Sequence, residues 1–266
     1  MSTDQMPAKP SGDVSFTRDG PIAILTLTRP QKLNALTLAM HKEIFAALGA
    51  LRREPAIKVL VITGTGRAFC AGDDMHESDP RSGVIPPEAE TEIAWHNMIR
   101  DMRTCPKPVI AAVNGLACGA GGGLMLGADI RIASDQARFA DIFIRRGIAG
   151  GAYLLTQVVG TAKALELIFT GDFIDAAEGY RLGIFNRVVP AERLMDETMG
   201  FARRLAEGPS QAIGYSKLAV YQAATLAMNE GLRAEEFAKL CCLRGAEVKE
   251  GIMSFNDKRR AEFTAR

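Results

Sequence analysis

Strand-like and helix-like hydrophobic patterns alternate over the first 190 residues of the chain. Val14 to Arg18 and Ile22 to Thr28 are strand-like runs on either side of Asp19-Gly20, a dipeptide typical of hairpin turns. Apolar residues at helical spacing follow from Met40 to Leu51, behind Thr37, whose hydroxyl can cap a first helical turn. The pattern therefore predicts an α/β domain that opens with a hairpin and a helix.

The later pattern divides the chain into three parts. Residues 1–12 are polar, contain prolines and lack the apolar core of a signal peptide, so we expect a disordered tail. Residues 13–200 carry the alternating strands and helices, including a predicted helix over Glu88 to Arg103. After Pro190 the spacing is helical throughout, and residues 201–266 are predicted to form a helical region.

The most informative segment is rich in glycine and lies between a strand-like run, Val109 to Val113, and a helix-like run, Leu124 to Ala128. Glycines occupy four of the five positions from Gly119 to Gly123, and the free N–H groups of a first helical turn can bind an anion. A P-loop needs Lys and Ser or Thr after its last glycine, and a dinucleotide motif needs a third glycine where this chain has Leu124. The remaining possibility is that backbone N–H groups of this segment bind a carbonyl oxygen. Such a site needs a second N–H donor from elsewhere in the chain.

Composition narrows the class of protein and its partners. The 266 residues carry a net charge of +1, which gives no drive toward nucleic acid or a membrane surface. Five cysteines without framework spacing favour a reducing, cytoplasmic location. No apolar span of 18 residues is present, so we expect no transmembrane segment.

The second element lies upstream of the glycine-rich segment. Lys58 to Thr63 is a β-branched run, and Gly66 to Met75 follows it as Gly-Arg-Ala-Phe-Cys-Ala-Gly-Asp-Asp-Met. This segment, followed by Lys107 to Gly115 and the glycine-rich helix start, resembles the crotonase (enoyl-CoA hydratase/isomerase) superfamily. Further segments resemble the same family in the same order, over roughly residues 13 to 263: Arg29 to Leu36, Asp129 to Ala133, Leu167 to Asp172, Gly183 to Pro190 and Phe255 to Arg259.

The resemblance implies a fold and a substrate class. The fold would be a crotonase-like ββα spiral core with a C-terminal helical trimerisation region, assembled as a homotrimer or a dimer of trimers. The substrate would be an acyl-CoA thioester, with coenzyme A as part of the substrate and no permanently bound cofactor or metal. The N–H groups of Asp73 and Ala120 would form an oxyanion hole for the thioester oxygen. Residues at the family's coenzyme A-binding positions are Lys32, Ala35, Ala71, Asp74, Met75, His76, Phe255 and Lys258.

Two of these positions have plain structural alternatives. Asp74 is an acidic residue after a tight turn, and its carboxylate can simply accept backbone hydrogen bonds. Lys258 can be a solvated surface charge.

The chain departs from the hydratase pattern at the residues that activate water. Hydratases of this family hold a water molecule between two glutamates, and the matching positions here are Gly123 and Phe143. A third carboxylate, common in isomerase-like and dehalogenase-like relatives, is also missing, because the segment Gly147 to Tyr153 is about three residues shorter. Hydration needs an acid and a base within reach of the reacting water. Standard two-glutamate hydration is therefore doubtful.

Substitute acid–base groups must come from other polar residues nearby. The candidates are Asp73, His76, Asp141 and Tyr153, with Glu92 and His96 on the predicted helix before Arg103. Each has a structural or surface alternative, and the sequence does not choose between them. Three hypotheses stay open: a lyase or isomerase acting on an enoyl-CoA, another acyl-CoA reaction such as decarboxylation or thioester hydrolysis, and a non-catalytic acyl-CoA-binding protein.

Overall fold

The computed structural model describes residues 12–76 and 95–263. Within them, the predicted hairpin is confirmed as β1 (Val14–Asp19) and β2 (Ile22–Leu27), which pair antiparallel. The tail, the candidate Glu92 and the first residues of the helix predicted from Glu88 lie outside the described residues, and α2 is described from Trp95 to Thr104.

The strands form two sheets. A six-stranded sheet has the order β1-β2-β3-β5-β7-β10, and a four-stranded sheet has the order β4-β6-β8-β9. All neighbours pair in parallel except β1 with β2 and β8 with β9. The remaining strands are β3 (Val59–Gly64), β4 (Ala68–Cys70), β5 (Val109–Val113), β6 (Leu116–Cys118), β7 (Ile130–Ser134), β8 (Arg138–Ala140), β9 (Ile174–Asp175) and β10 (Arg187–Val189).

The chain passes between the sheets in a repeated pattern. Three times, a strand of the large sheet is followed within a few residues by a strand of the small sheet and then by a helix: β3-β4-α2, β5-β6-α3 and β7-β8-α4. This is the ββα spiral that the resemblance implied. The helices of the described part are α1 (Leu38–Arg53), α2 (Trp95–Thr104), α3 (Ala120–Gly127), α4 (Ala152–Val159), α5 (Thr161–Thr170), α6 (Ala176–Arg181), α7 (Leu194–Ala206), α8 (Ser210–Ala223), α9 (Met228–Leu243) and α10 (Ala246–Asn256).

The central parallel strands of the large sheet, β3, β5 and β7, carry buried apolar side chains on both faces. In β3, Leu60 and Ile62 face the main core with α1 and α3, while Val59 and Val61 face a second cluster with α7. The boundary predicted at residue 200 falls inside α7, a helix that packs on the sheet. Beyond α7, the helices α8, α9 and α10 make up the predicted helical region.

The helix α3 begins earlier than the apolar pattern indicates. Its first residue is Ala120, so Gly121, Gly122 and Gly123 lie inside the helix although glycine is a poor helix former. Close packing explains two of them: a Cβ on Gly121 would lie 2.3 Å from the backbone oxygen of Cys70, and one on Gly122 would lie 2.9 Å from the Phe139 ring. These glycines therefore let α3 approach the small sheet.

Candidate active site

Three loops meet at one edge of the small sheet. Strands β4, β6 and β8 are parallel, with Cys70 paired to Ala117 and Cys118 paired to Ala140. Their carboxyl ends therefore lie side by side, and each is followed at once by a predicted site residue: Asp73, Ala120 and Asp141. The sheet topology thus brings the chain after Cys70, after Cys118 and after Ala140 to the same edge.

Glycine turns hold the first two loops against each other. Gly72 has φ 102°, and Gly119 has φ 54° with ψ −130°, conformations that L-residues with a Cβ rarely adopt. A Cβ on Gly72 would lie 3.4 Å from the backbone nitrogen of Ala120, and a Cβ on Gly119 would lie 3.8 Å from the Cα of Gly72. The two backbones are thus in near contact.

The N–H groups of Asp73 and Ala120 are both available at this contact. The N–H of Leu36 donates to the oxygen of Gly72 (2.8 Å), and the N–H of Asp74 donates to the oxygen of Leu36 (2.8 Å), so the N–H of Asp73 points away from Leu36. Ala120 is the first residue of α3, where an N–H has no partner in its own helix. In the described ranges, neither N–H donates to a backbone oxygen.

Two asparagine side chains, one buried and one half-buried, fix the loops, and the sequence reasoning did not single them out. Asn34, fully buried, donates to the oxygens of Thr65 (2.9 Å) and Ala68 (2.7 Å) and accepts from the N–H of Arg29 (2.9 Å). Asn114 donates to the oxygen of Ala68 (3.0 Å) as well. The available sequence signal for Asn34 was its position as the polar residue within the otherwise apolar stretch from Leu33 to Leu36.

The side chain of Asp73 is engaged by a residue that sequence reasoning also missed. Nε2 of His41, on the first turns of α1, lies 2.9 Å from Oδ1 of Asp73. The other ring nitrogen of His41 is buried and has no partner within the described part of the chain. No motif at His41 indicated this contact.

Asp74 behaves as a structural carboxylate. Burial acts to raise its pKa, but hydrogen bonds from the N–H of His76 (3.0 Å) and from Nη1 of Arg29 (2.6 Å) outweigh it and hold the pKa below its ordinary value. Arg29 also donates to the oxygen of Ala35 (3.1 Å), so the ion pair ties the two predicted coenzyme A-binding segments together.

Asp141 has the most perturbed carboxylate of the site. Its side chain is buried, and burial raises its pKa to about 6 although the N–H of Phe143 donates to it. Oδ1 has no hydrogen-bond partner among the described residues. Gly151 lies directly against the other oxygen: a Cβ at that position would be 1.5 Å from Oδ2. Buried carboxylates with an unsatisfied oxygen and a raised pKa are common in catalytic sites.

The other predicted residues are spread around this edge. Lys32, Met75 and His76 are exposed beside the two loops, and the N–H of Ala71 donates to the oxygen of Leu33 (3.0 Å). Tyr153, which is 59% exposed, is the second residue of α4, whose N-cap is Gly151.

Phe255 and Lys258 lie at the far end of the chain. Phe255 is 82% exposed in the last turn of α10, a helix that packs mainly on α9.

The two positions of the family's glutamates carry no carboxylate. Gly123 is buried in the first turns of α3, where its N–H donates to the oxygen of Gly119 (3.0 Å). Phe143 starts a short 3-10 turn after β8, and its ring packs on Gly150.

Two cavities are lined in part by residues of α2 and α4. The first, of about 570 Å³, is lined by Phe143, Gly150 and Gly151 together with residues of α2. The second, of about 440 Å³, lies between α4, α7 and α8. Both are in the size range of small-molecule sites.

Residues 12–76 and 95–263 show neither a metal-binding cluster nor a membrane span. They contain no group of three or more metal-ligating side chains and no helix long and apolar enough to cross a membrane.

Comparison with known proteins agrees with the motifs. The sequence profile of the enoyl-CoA hydratase/isomerase family matches residues 17–266. The 1,2-epoxyphenylacetyl-CoA isomerase of Escherichia coli K12 is 35% identical over 250 residues, covering 92% of this chain and 95% of that protein. Crotonyl-CoA hydratase of Syntrophomonas wolfei is 32% identical over 258 residues, covering 96% and 98%.

A solved structure shows the same fold at full length. The crystal structure of an enoyl-CoA hydratase from Polaromonas sp. JS666 has a TM-score of 0.88 and 31% identity, with 94% of this chain and 99% of that chain covered. The expected crotonase fold and acyl-CoA substrate class are therefore confirmed, and the chain belongs to the enoyl-CoA hydratase/isomerase family.

Proposed function

We propose that this enzyme shifts the double bond of an enoyl-CoA thioester, with the N–H groups of Asp73 and Ala120 binding the enolate oxygen and Asp141 carrying the proton. The observation that carries the proposal is the convergence of two free N–H groups and one buried carboxylate with a raised pKa at the ends of three adjacent parallel strands.

The oxyanion hole supplies the stabilisation common to the family's reactions. Negative charge grows on the thioester oxygen when a proton leaves the adjacent carbon, and fixed N–H groups stabilise that charge without reorganising. Gly72 and Gly119 set the direction of the two peptide groups before substrate arrives. Each donor of this kind contributes on the order of 3 kcal/mol to transition-state stabilisation.

A single carboxylate suits isomerisation better than hydration. The Asp141 carboxylate removes a proton from the α carbon of a 3-enoyl-CoA, and the C–H electrons delocalise into the thioester to give the dienolate. Protonated Asp141 then returns the same proton to the γ carbon, so the product is the 2-enoyl-CoA and the enzyme is restored. Hydration needs a second group to activate water, and the family's two positions hold Gly123 and Phe143.

The raised pKa of Asp141 fits this role. A carboxylate with a pKa of about 6 is still mostly ionised at neutral pH, yet it is a stronger base than an ordinary aspartate. One relative is named as an isomerase of an acyl-CoA, although its named substrate is an epoxide, and the hydratase relatives keep hydration as the competing outcome of the test.

Coenzyme A is expected along the segments that contain Lys32 and Ala35 on one side and Ala71 to His76 on the other, which three backbone hydrogen bonds join. Phe255 and Lys258 would reach a nucleotide held by a neighbouring subunit. Large apolar side chains exposed on α8 and α9 support a homotrimer or a dimer of trimers; they include Val220, Met228, Leu232 and Phe237.

The direct test is Asp141→Asn, which keeps the shape of the side chain and removes the base. Conversion of 3-enoyl-CoA to 2-enoyl-CoA is followed by the absorbance of the conjugated thioester, beside hydration of crotonyl-CoA. We expect kcat for isomerisation to fall at least about 100-fold, in line with the usual contribution of a general base. The matched control is Asp135→Asn, an exposed aspartate after β7.

An Asp141→Asn variant that isomerises at the wild-type rate would remove Asp141 from the mechanism. A wild-type enzyme that hydrates crotonyl-CoA quickly and does not isomerise would replace the proposed reaction with hydration.

A further inference from the structure

The linings of the two cavities contain more basic than acidic side chains. Arg100 and Arg103 line the first cavity, whose lining in the described part of the chain includes no carboxylate. Arg103 also lines the second cavity, together with Arg131 and Lys217. One carboxylate, that of Asp129, is present in that second lining.

That carboxylate is already fully engaged. Oδ2 of Asp129 forms an ion pair with Lys217 (2.8 Å) and accepts from the N–H of Val109 (2.7 Å), while Oδ1 accepts from the hydroxyl of Tyr221 (2.8 Å). Its charge therefore compensates Lys217. Arg131 is also within the influence of the Asp129 charge, whereas Arg100 and Arg103 form no ion pair with a carboxylate among the described residues.

Arg103 is the cation placed to meet a ligand. It lines both cavities, and its guanidinium stacks over the Tyr221 ring at 4.7 Å. Nη2 makes one long hydrogen bond to the oxygen of Leu126 (3.4 Å), and Nε is buried with no partner among the residues described. A half-buried cation with an unused donor is costly unless an anion completes it.

The first cavity adjoins the proposed reaction centre. Gly150 and Gly151 line it, and Gly151 lies directly against the Asp141 carboxylate. An acyl group whose reacting carbons lie near Asp141 can continue into this cavity past Phe143. Apolar side chains, Ile99 and Leu154 among them, would then face its methylene groups.

We propose that the preferred substrates are acyl-CoA thioesters whose acyl chain ends in a second carboxylate, bound by the guanidinium of Arg103. The fork of N–H donors on an arginine matches a carboxylate, and the hydroxyl of Tyr153 lies in the same lining. This substrate class rests on the proposed function, because it assumes that the thioester is held at Asp73 and Ala120.

Binding of saturated thioesters tests the preference without turnover. Calorimetry compares saturated acyl-CoAs that end in a carboxylate with neutral acyl-CoAs of the same number of carbons, over a series of chain lengths. We expect the carboxylate-ended member to bind at least about tenfold more tightly at one length or more. Equal or tighter binding of the neutral member at every length would overturn the proposal.

Variants assign the preference to the cavity. Arg103→Gln is expected to abolish it, Arg103→Lys to retain the smaller part that depends on charge alone, and Arg53→Gln, at the exposed end of α1, to leave it intact. A preference that survives unchanged in Arg103→Gln would rule out Arg103 as the ligand-binding group. If thermal unfolding shows that Arg103→Gln does not fold, an undiminished preference in Arg103→Lys counts against the proposal in the same way.

A free dicarboxylate and an oxyanion-hole variant complete the test. A free dicarboxylate that binds as tightly as its CoA thioester would make the cavity a site for a free anion and overturn the proposal. The preference should persist in Ala120→Pro, which removes a donor of the oxyanion hole but leaves the cavity. A fully active Ala120→Pro variant would instead refute the proposed function, so the two failures are distinguishable.

Discussion

Replacement of Ala120 by proline removes one donor of the proposed oxyanion hole and places the Cδ of the proline ring where the N–H was. Ala120 is the first residue of α3, the position where proline is favoured in helices because its nitrogen needs no intrahelical partner. The preceding residue, Gly119, has ψ −130°, outside the helical region that proline disfavours before it. The helix should therefore form as before without the N–H that faces Gly72.

The expected loss follows from the number of donors. If Asp73 and Ala120 provide the two N–H groups, one donor is lost and one remains, which corresponds to about 3 kcal/mol and a fall in kcat of about 100- to 1000-fold. KM is expected to rise as well, because the Cδ of the proline ring takes the place of the N–H and crowds the bound thioester oxygen. The assay is steady-state kinetics on a 3-enoyl-CoA, together with thermal unfolding of the variant.

Ala120→Gly is the matched control, because it keeps the N–H and changes only the Cβ. A helical glycine costs up to about 1 kcal/mol of stability, so some loss of thermal stability with near wild-type kcat is expected. The oxyanion assignment fails if the proline variant is folded and its kcat stays within about threefold of the wild type, far short of the loss that one donor implies.

Three further predictions concern the carboxylates and their neighbours. Because the pKa of Asp141 is about 6 in the folded protein and its ordinary value is 3.8, the native state holds the proton of Asp141 more tightly than the unfolded state, and the stability of the protein should fall as pH rises from about 4 to 6. Asp141→Asn should therefore raise Tm at pH 7 relative to the wild type. The kcat/KM of the wild type should rise with pH, with a midpoint near pH 6. Gly151→Ala should abolish activity and destabilise the fold more than Gly147→Ala in chemical denaturation, since both glycines have φ near 70° but only the Cβ at residue 151 meets the Asp141 carboxylate; equal effects would contradict the steric account. His41→Leu should lower kcat several-fold with little change in KM or Tm, because the substitution frees the Asp73 loop and also removes a buried unpaired nitrogen. If Asp73→Ala has an equal effect and the double variant shows no further loss, the hydrogen bond between His41 and Asp73 accounts for both effects.

Local patterns predicted the elements well where the signal was local. The hairpin at Asp19-Gly20, the cap at Thr37 and the strand Val109–Val113 depend on residues adjacent in sequence, and each is confirmed. The apolar run alone indicates a helix only from Leu124, because a run of glycines disfavours a helix, whereas the resemblance put a helix start at Ala120, where α3 begins. In the folded structure Gly121 packs against Cys70 and Gly122 packs against Phe139, and these contacts between distant segments require glycines inside the helix.

The site was predictable in part for a similar reason. The motifs around Asp73 and Ala120 could be found by resemblance, because glycine turns and their flanking strands occupy short stretches of sequence. The contact from His41 and the charge around Arg103 could not, because they join segments that are far apart in the chain. Asp141 stood among several equal candidates until burial and the position of Gly151 set it apart.

Under the proposed function, the spiral fold explains how a carboxylate at residue 141 can serve the reaction without the family's two glutamates. Each ββα unit ends its small-sheet strand at the same edge, so the first residues after β4, β6 and β8 all face one reaction centre. A carboxylate on α3 at residue 123 or in the turn at residue 143 reaches that centre from a helix or a later turn, whereas Asp141 lies directly at the strand end. Gly151 lies directly against the Asp141 carboxylate, and burial raises the pKa of that carboxylate. The proposed function thus uses a single carboxylate with a raised pKa at residue 141 where, by the resemblance, hydratases use a pair of glutamates.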